Sequence, residues 1–354
     1  MKVLIVKTSS LGDIVQTFHI LSYLKNISND IQIDWVVEHP FSELLQAHPA
    51  IHKVFIIHTK KWRQCFWKKE IRQEIQQFYQ SLSSHCYDII FDLQGNIKSG
   101  IVTALARSPI KVGFGRAAVA EWPNLLFTNH RYTPPSNQNI RNDYLFLVQS
   151  QFKSTPPYIY EGVQLKISQT EEEKIKHILT NIQPNQTKIM VCPGSNWTNK
   201  QLSTMALKEF LIALSQNMAT YYLFIWGTKE EKQIVEELAQ SFPNSNIILD
   251  KLALPTLQNL MAQLQLVIAM DSLPLHLAAT TYTPTYSVFG ASAASKYKPV
   301  ESRHAAFQGL CPYGQSFEKR CAILRSCPTG ACIKDISGHV LFNHFIKWWK
   351  TLPV

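Results

Sequence analysis

Short apolar runs rich in β-branched residues alternate in this chain with segments whose apolar residues recur at helical spacing, and the whole alternation happens twice. In the first half the strand-like runs fall at 3–6, 31–37, 54–57, 87–93 and 111–114. Helical patterns lie around 14–27, 41–48, 70–84 and 97–107, with another at 141–152. Such a rhythm predicts crossover connections and hence a parallel sheet covered by helices. Residues 153–162 break it with prolines, a glycine and no periodicity, which is linker composition. The rhythm then resumes with a helix at 171–180, Thr170 standing where its cap is expected. Strands follow at 188–192, 221–226, 246–249, 266–270 and 285–289, and helices at 202–216, 229–241, 255–263 and 274–280. Residues 306–334 show no clean period. A last helix at 337–351 carries Val340, Leu341, Phe345, Trp348 and Trp349. The expected organisation is two α/β domains, 1–155 and 156–335, followed by a C-terminal helix, 336–354, within ordinary domain sizes for 354 residues.

The chain is 45% hydrophobic and 11% aromatic, the balance of a globular protein. No run approaches the roughly 18 apolar residues of a membrane span. The first strand begins at Lys2, too early for a signal peptide, so a cytoplasmic location, or the cytoplasmic side of a membrane, is expected. A formal charge of +10 favours anionic partners. Helix-turn-helix, zinc-finger and ribonucleoprotein motifs are lacking, so phosphorylated small molecules or anionic lipid are favoured over nucleic acid. Neither half carries G-x-G-x-x-G or G-K-[ST] after its first strand, which disfavours a nicotinamide dehydrogenase and a P-loop NTPase. No Asp-x-Asp motif is present, and no metal or cofactor is expected. Cys65, Cys86 and Cys192 read as inert core thiols. Cys311, Cys321, Cys327 and Cys332 cluster in sequence without paired C-x-x-C spacing, and read as reduced packing thiols more readily than as a metal or redox set.

Five stretches carry candidate chemistry. Lys7-Thr8-Ser9-Ser10-Leu11-Gly12-Asp13-Ile14 joins the first strand to the first helix, where ligands bind in open α/β sheets. A helix N-terminus favours a carboxylate there, and Asp13 is either a general base or a helix cap. Pro193-Gly194-Ser195-Asn196-Trp197-Thr198-Asn199-Lys200 offers small residues and a lysine to an anion, or is an ordinary loop. In Met270-Asp271-Ser272-Leu273-Pro274-Leu275-His276, Ser272 can cap the next helix, Pro274 fits its first turn, and His276 would point near the same crevice; the alternative is a capped helix with a buried histidine. Trp226-Gly227-Thr228-Lys229-Glu230-Glu231 places carboxylates where a ribose could be held, or where a helix N-terminus prefers acids. Lys60, Lys61 and Arg63, with Lys68 and Lys69 and the interleaved Trp62, Phe66 and Trp67, suit an anionic acceptor or membrane surface, or form a solvated helix face.

Together these motifs resemble the ADP-heptose:lipopolysaccharide heptosyltransferases of glycosyltransferase family 9. The opening stretch through Asp13, Asp34-Trp35-Val36-Val37-Glu38, and Asp92-Leu93-Gln94-Gly95-Asn96-Ile97-Lys98-Ser99 are similar to the heptosyltransferase I type. The resemblance implies a GT-B architecture, two Rossmann-like domains around a central cleft, with the C-terminal helix crossing back to the first. It implies inverting, metal-independent transfer of L-glycero-D-manno-heptose from ADP-heptose to a Kdo residue of lipid A. The enzyme would work peripherally on the cytoplasmic face of the inner membrane. Asp13 would then be the base. Ser10, Lys60, Lys61, Arg63 and Arg116 would serve the acceptor. Ser195, Asn196 and Lys200 would serve the phosphates, Glu231 the ribose, and Leu252 the adenine pocket. Asp271, Ser272, Leu273 and His276 would lie at the sugar and diphosphate. The family usually has glycine where Leu273 stands, and a side chain there restricts close backbone approach to the donor. Alternatives are a transferase using another sugar nucleotide or adding a second heptose, and an inactive membrane-associated binding protein.

Overall fold

The apolar runs become two six-stranded, wholly parallel sheets, one in each of two units, Met1–Glu161 and Gly162–Val354. The computed structural model describes residues 1–152 and 158–352. The expected boundary at 155/156 falls outside those residues. The last described residues of the first unit stay with it, since the Tyr158 hydroxyl donates to the carbonyl of His19 at 2.6 Å. Val163 N–H already donates to the carbonyl of Thr280 at 2.8 Å, within the second unit.

The first unit runs β1 (Lys2–Val6), α1 (Leu11–Gln16), α2 (Phe18–Ile27), β2 (Gln32–Glu38), α3 (Ser42–Gln46), β3 (Ile51–Ile57), α4 (Thr59–Cys65), α5 (Lys69–Ser83), β4 (Ile89–Asp92), α6 (Ile97–Leu105), β5 (Ile110–Phe114), β6 (His130–Tyr132) and α7 (Ile140–Gln149). Its strand order is β3-β2-β1-β4-β5-β6, so the order reverses between β1 and β4. Strands buried on both faces explain the continuous apolar runs: Val3 to Val6 and Ile89 to Phe91 are all buried. The single helix expected at 14–27 is two, because the Thr17 hydroxyl donates to the carbonyl of Ile14 at 2.6 Å and ends α1 there. The short edge strand β6 has no strong periodic signal and was not expected, whereas α4 is the helix-face alternative for Lys60, Lys61 and Arg63.

The second unit runs α8 (Gln169–Thr180), β7 (Thr187–Cys192), α9 (Thr204–Asn217), β8 (Thr220–Phe224), α10 (Lys229–Ala239), β9 (Asn246–Ile248), α11 (Leu254–Met261), β10 (Leu266–Met270), α12 (Leu273–Ala278), β11 (Thr285–Phe289), α13 (Ala294–Tyr297), β12 (His304–Gln308), α14 (Ala331–Lys334) and α15 (Gly338–Trp349). Its order, β12-β11-β10-β7-β8-β9, reverses between β7 and β10. The cap of α8 is Ser168, not Thr170, because Ser168 and Glu171 close a reciprocal capping box. Strand β12 arises at the start of the segment that had no clean period.

Helix α15 packs on α9 and β12 of the second unit. Leu341 and Phe345 are fully buried, and Phe345 meets Phe210 and Tyr286 edge-on at 5.7 and 5.2 Å. Val340, off the stripe that carries Leu341 and Phe345, stays exposed.

Candidate functional site

In a parallel sheet every loop that follows a strand opens on the same edge, and ligands gather where the strand order reverses. In the first unit that point lies between β1 and β4. Asp13 occupies the third position of α1, and its carboxylate accepts from the Ser10 hydroxyl at 2.8 Å and the Ser10 N–H at 3.3 Å. The cap reading is therefore correct as local geometry, and the side chain remains partly accessible. Its neighbours were quoted in the sequence but not assigned. Lys7 is buried at the end of β1; burial lowers its ammonium, while the charges of Asp13 and Asp92 act in the opposite sense. Asp92 ends β4 fully buried and accepts from Gly95 N–H, Ser99 Oγ and Asn124 Nδ2 at 2.9, 2.8 and 2.6 Å. Burial raises this carboxyl above its ordinary range, and those donors oppose the shift without cancelling it. The sequence signal for this set is a charged residue at the end of each of three adjacent strands: Lys7, Glu38 and Asp92.

Glu38, at the end of β2, builds the bridge to the basic helix. It accepts from Thr59 N–H at 3.2 Å, from the Thr59 hydroxyl, and from Lys98 Nζ at 3.1 Å. That fixes the start of α4, whose Lys60 and Arg63 are exposed. Lys61 differs: it pairs with Glu74 at 2.7 Å, and Trp62 Nε1 donates to the same carboxylate at 2.8 Å. Arg116 lies exposed in the turn after β5, on the opposite wing of the sheet from α4, with three strands between.

In the second unit the reversal point joins the two loops singled out from sequence. Lys200 and Asp271 form a buried ion pair, and Ser292 Oγ donates to the same carboxylate oxygen. His276 Nε2 lies 3.7 Å from the other oxygen. Burial alone would raise the Asp271 carboxyl, but the adjacent His276 imidazole and the Lys200 ammonium outweigh it and hold it well below the carboxylate range. Ser292, after β11, was not expected; the small-residue run Gly290-Ala291-Ser292 at a strand end was its only signal. Ser272 holds the cap position of α12 but makes no capping bond, and its hydroxyl faces the carbonyl of Met270 at 3.4 Å. Pro274 supplies no N–H at the second helical position, which removes one of the two donors a cap uses. Leu273 and Ser272 are half-buried, Ser195 is buried, and Asn196 is exposed.

Glu231 closes a reciprocal capping box with Thr228 and accepts from Gly227 N–H at 2.6 Å. It also lies over Gly194 so closely that a Cβ there would collide with its carboxylate, so the loop after β7 and the loop after β8 meet. Trp226 donates to the carbonyl of Leu249 at 3.0 Å, with Lys251 and Lys232 over its ring at 4.9 and 5.2 Å; half-buried Leu252 follows. Among the cysteines, Cys192 is buried and its thiol pushed up by burial, Cys65 is partly exposed, and Cys86 is exposed, contrary to the core reading, because it lies beyond the helix α5 and before β4 rather than inside either. Among the described residues no three His, Cys, Asp or Glu side chains are gathered so as to hold a metal ion, and no helix is long and apolar enough to cross a membrane.

Two parallel α/β units with their polar clusters at strand-order reversals are the architecture of a GT-B glycosyltransferase. The profile of glycosyltransferase family 9 (heptosyltransferase) matches residues 75–325, and the chain belongs to that family. It is 27% identical over 303 residues to lipopolysaccharide heptosyltransferase 1 of Campylobacter coli, covering 82% of this chain and 84% of that one. It is 28% identical to the Pseudomonas aeruginosa protein of the same name, covering 82% and 79%. The structure of E. coli heptosyltransferase WaaC with ADP superposes with a TM-score of 0.77 at 21% identity, covering 98% of this chain and 100% of that one. E. coli ADP-heptose lps heptosyltransferase II superposes at 0.70 with 16% identity, covering 98% of both chains.

Proposed function

We propose that the chain transfers L-glycero-D-manno-heptose from ADP-heptose to a Kdo residue of lipid A, building the inner core of lipopolysaccharide, with inversion and without a metal ion. The observation that carries this reading is the buried Lys200–Asp271 pair at the reversal point of the second sheet, flanked by His276 and Ser292. Asp271 gives the buried ammonium a carboxylate partner and fixes its position, so a diphosphate placed there meets an oriented positive charge. Ser195, Asn196 and the first turn of α12 complete the phosphate side. Glu231, anchored by Gly227 N–H, keeps its second oxygen for the ribose hydroxyls, and Trp226 with Leu252 lines the base.

In the first unit Asp13 is the base. It removes the acceptor hydroxyl's proton as that oxygen attacks the anomeric carbon and ADP departs. Ser10 orients the carboxylate, and Lys7 supplies positive charge beneath the acceptor turn. Lys60 and Arg63 hold the anionic groups of Kdo and lipid A beside Lys61, which is paired with Glu74, with Arg116 on the far wing. The exposed Phe66 and Trp67, flanked by Lys68 and Lys69, suit an anionic membrane surface, which supports work at the periphery of the inner membrane's cytoplasmic face. The test is a transfer assay with ADP-heptose and Kdo-lipid A read by mass spectrometry. A product heavier by one heptose supports the reading. Transfer only from another ADP-sugar would point to Leu273 as a donor selector, and no transfer from any sugar nucleotide would overturn it.

A further inference from the structure

Cys311, Cys321, Cys327 and Cys332 line one cavity of about 20 Å3, together with Asn199. All four are free thiols, each partly exposed. Their surroundings differ. Cys327 Sγ accepts from Gly330 N–H at 3.4 Å and lies 3.8 Å from Thr329 Oγ1, and these contacts bring its thiol below the ordinary range. Cys332 is pushed up to about 11 by burial and by the other three thiols of the cavity. One thiol held below the ordinary range thus shares a cavity with one held above it, and the thiolate is the reactive species.

The wall of this cavity is fastened to the loop that carries Lys200. Asn199 Nδ2 donates to the carbonyls of Leu324 and Cys327, both at 2.9 Å. Gly330, at φ 60°, passes Asn199 so closely that a Cβ would strike its side-chain carbonyl. The Arg325 guanidinium covers the Trp197 ring at 4.4 Å. The charges of Cys311, Cys321 and Cys327 act on Cys332 across this cavity, so thiol chemistry among the four is within reach.

We propose that this cavity is a thiol-modification site, in which Cys327 exchanges with a small-molecule disulfide and a second cavity thiol then closes an internal disulfide. The Cys327 thiolate attacks one sulfur of the small disulfide, whose other half leaves as a thiolate. A second cavity thiol loses its proton to solvent, attacks the Cys327 sulfur of the mixed disulfide and expels the other small thiol. Two protein thiols are oxidised and one small disulfide is reduced to two thiols. Drawing two sulfurs into a bond moves the tail that holds Asn199, and Lys200 is the next residue. The effect on the donor rests on the proposed donor site; the thiol exchange does not.

The full chain is incubated with glutathione disulfide, mapped by peptide mass spectrometry, and assayed for donor KM before and after dithiothreitol. The expected result is an internal disulfide joining Cys327 to Cys311, Cys321 or Cys332, with a several-fold rise in donor KM that dithiothreitol reverses. Cys327→Ser should not form that bond and should keep the reduced parent's melting temperature and donor KM; Cys332→Ser gives a second, independent variant should the first fold poorly. Iodoacetamide labelling of Cys327 no faster than of exposed Cys86 would overturn the proposal, as would disulfides made chiefly by Cys65 or Cys86. An internal disulfide with unchanged donor KM would overturn the coupling to Lys200. If Lys200→Ala leaves donor KM unchanged while the internal disulfide still forms, the donor-site reading fails and the thiol site stands.

Discussion

Asp13 has one observed contact and one proposed role, and a single substitution separates them. It accepts from Ser10 in the turn before α1, and by the proposed mechanism it takes a proton during transfer. Asp13→Asn keeps the shape and much of the capping capacity, and removes the proton acceptor. The expected outcome is kcat lower by about 10²–10⁴-fold, as for loss of a general base. The melting temperature and ADP affinity should stay near the parent's, and turnover within a few-fold of it would reject Asp13 as base. At Lys200 and Asp271 the issue is burial. Asp271→Asn strands a buried ammonium, expected to cost about 3–5 kcal/mol, measured by denaturant unfolding. Lys200→Ala should weaken ADP binding, measured by calorimetry. Because the folded Asp271 carboxyl lies below its unfolded value, the stability it contributes is present above the ordinary carboxylate range, near 3.9, and is lost as pH falls below that range. Acid titration of the parent against Asp271→Asn should therefore show the two stabilities converging only below about pH 4.

At the scale of elements, α4 was readable as a basic stretch, an anion site or a solvated helix face, but its division of labour was not. Lys60 and Arg63 face solvent, whereas Lys61 is committed to Glu74. Removing Lys60 and Arg63 should raise acceptor KM far more than donor KM, and the effect should shrink in high salt as exposed charges are screened. Lys61→Ala alone should change acceptor KM less than Lys60→Ala, and steady-state kinetics at two ionic strengths would settle the order. Equal effects on both substrates would make the cluster structural. The loop elements of the second unit show how little periodicity reveals about support. Asn199 was legible only as a member of a polar loop, and its bonds to the carbonyls of Leu324 and Cys327 span more than a hundred residues of sequence.

At the scale of the molecule, each unit carries its own sheet and core, and α15 belongs to the second. Phe345→Ala removes a ring packed against Phe210, Tyr286 and Trp349, expected to cost about 3–5 kcal/mol. Hydrogen exchange should show the loss in β10, β11 and α9, with the amides of β1 and β4 keeping their protection. Loss of protection in the first unit's central strands would mean that the two units unfold as one.

The sequence by itself determined the two βα series, most strand positions, and which loops carry candidate chemistry, because strands buried on both faces and amphipathic helices write their periods directly into the chain. Strands 266–270 and 285–289 were placed to the residue. Family membership was legible for a similar reason: the turns after β1, β4, β7 and β10 are short, contiguous motifs. Tertiary structure alone decided the rest. Strand order placed the turns after β1 and β4, and those after β7 and β10, side by side at the two reversals. It brought Ser292 to Asp271 and Glu231 to Gly194, gathered four cysteines around one cavity, and docked α15 on α9. Such contacts join residues whose separation along the chain carries no period, so only the packed sheets could bring them together.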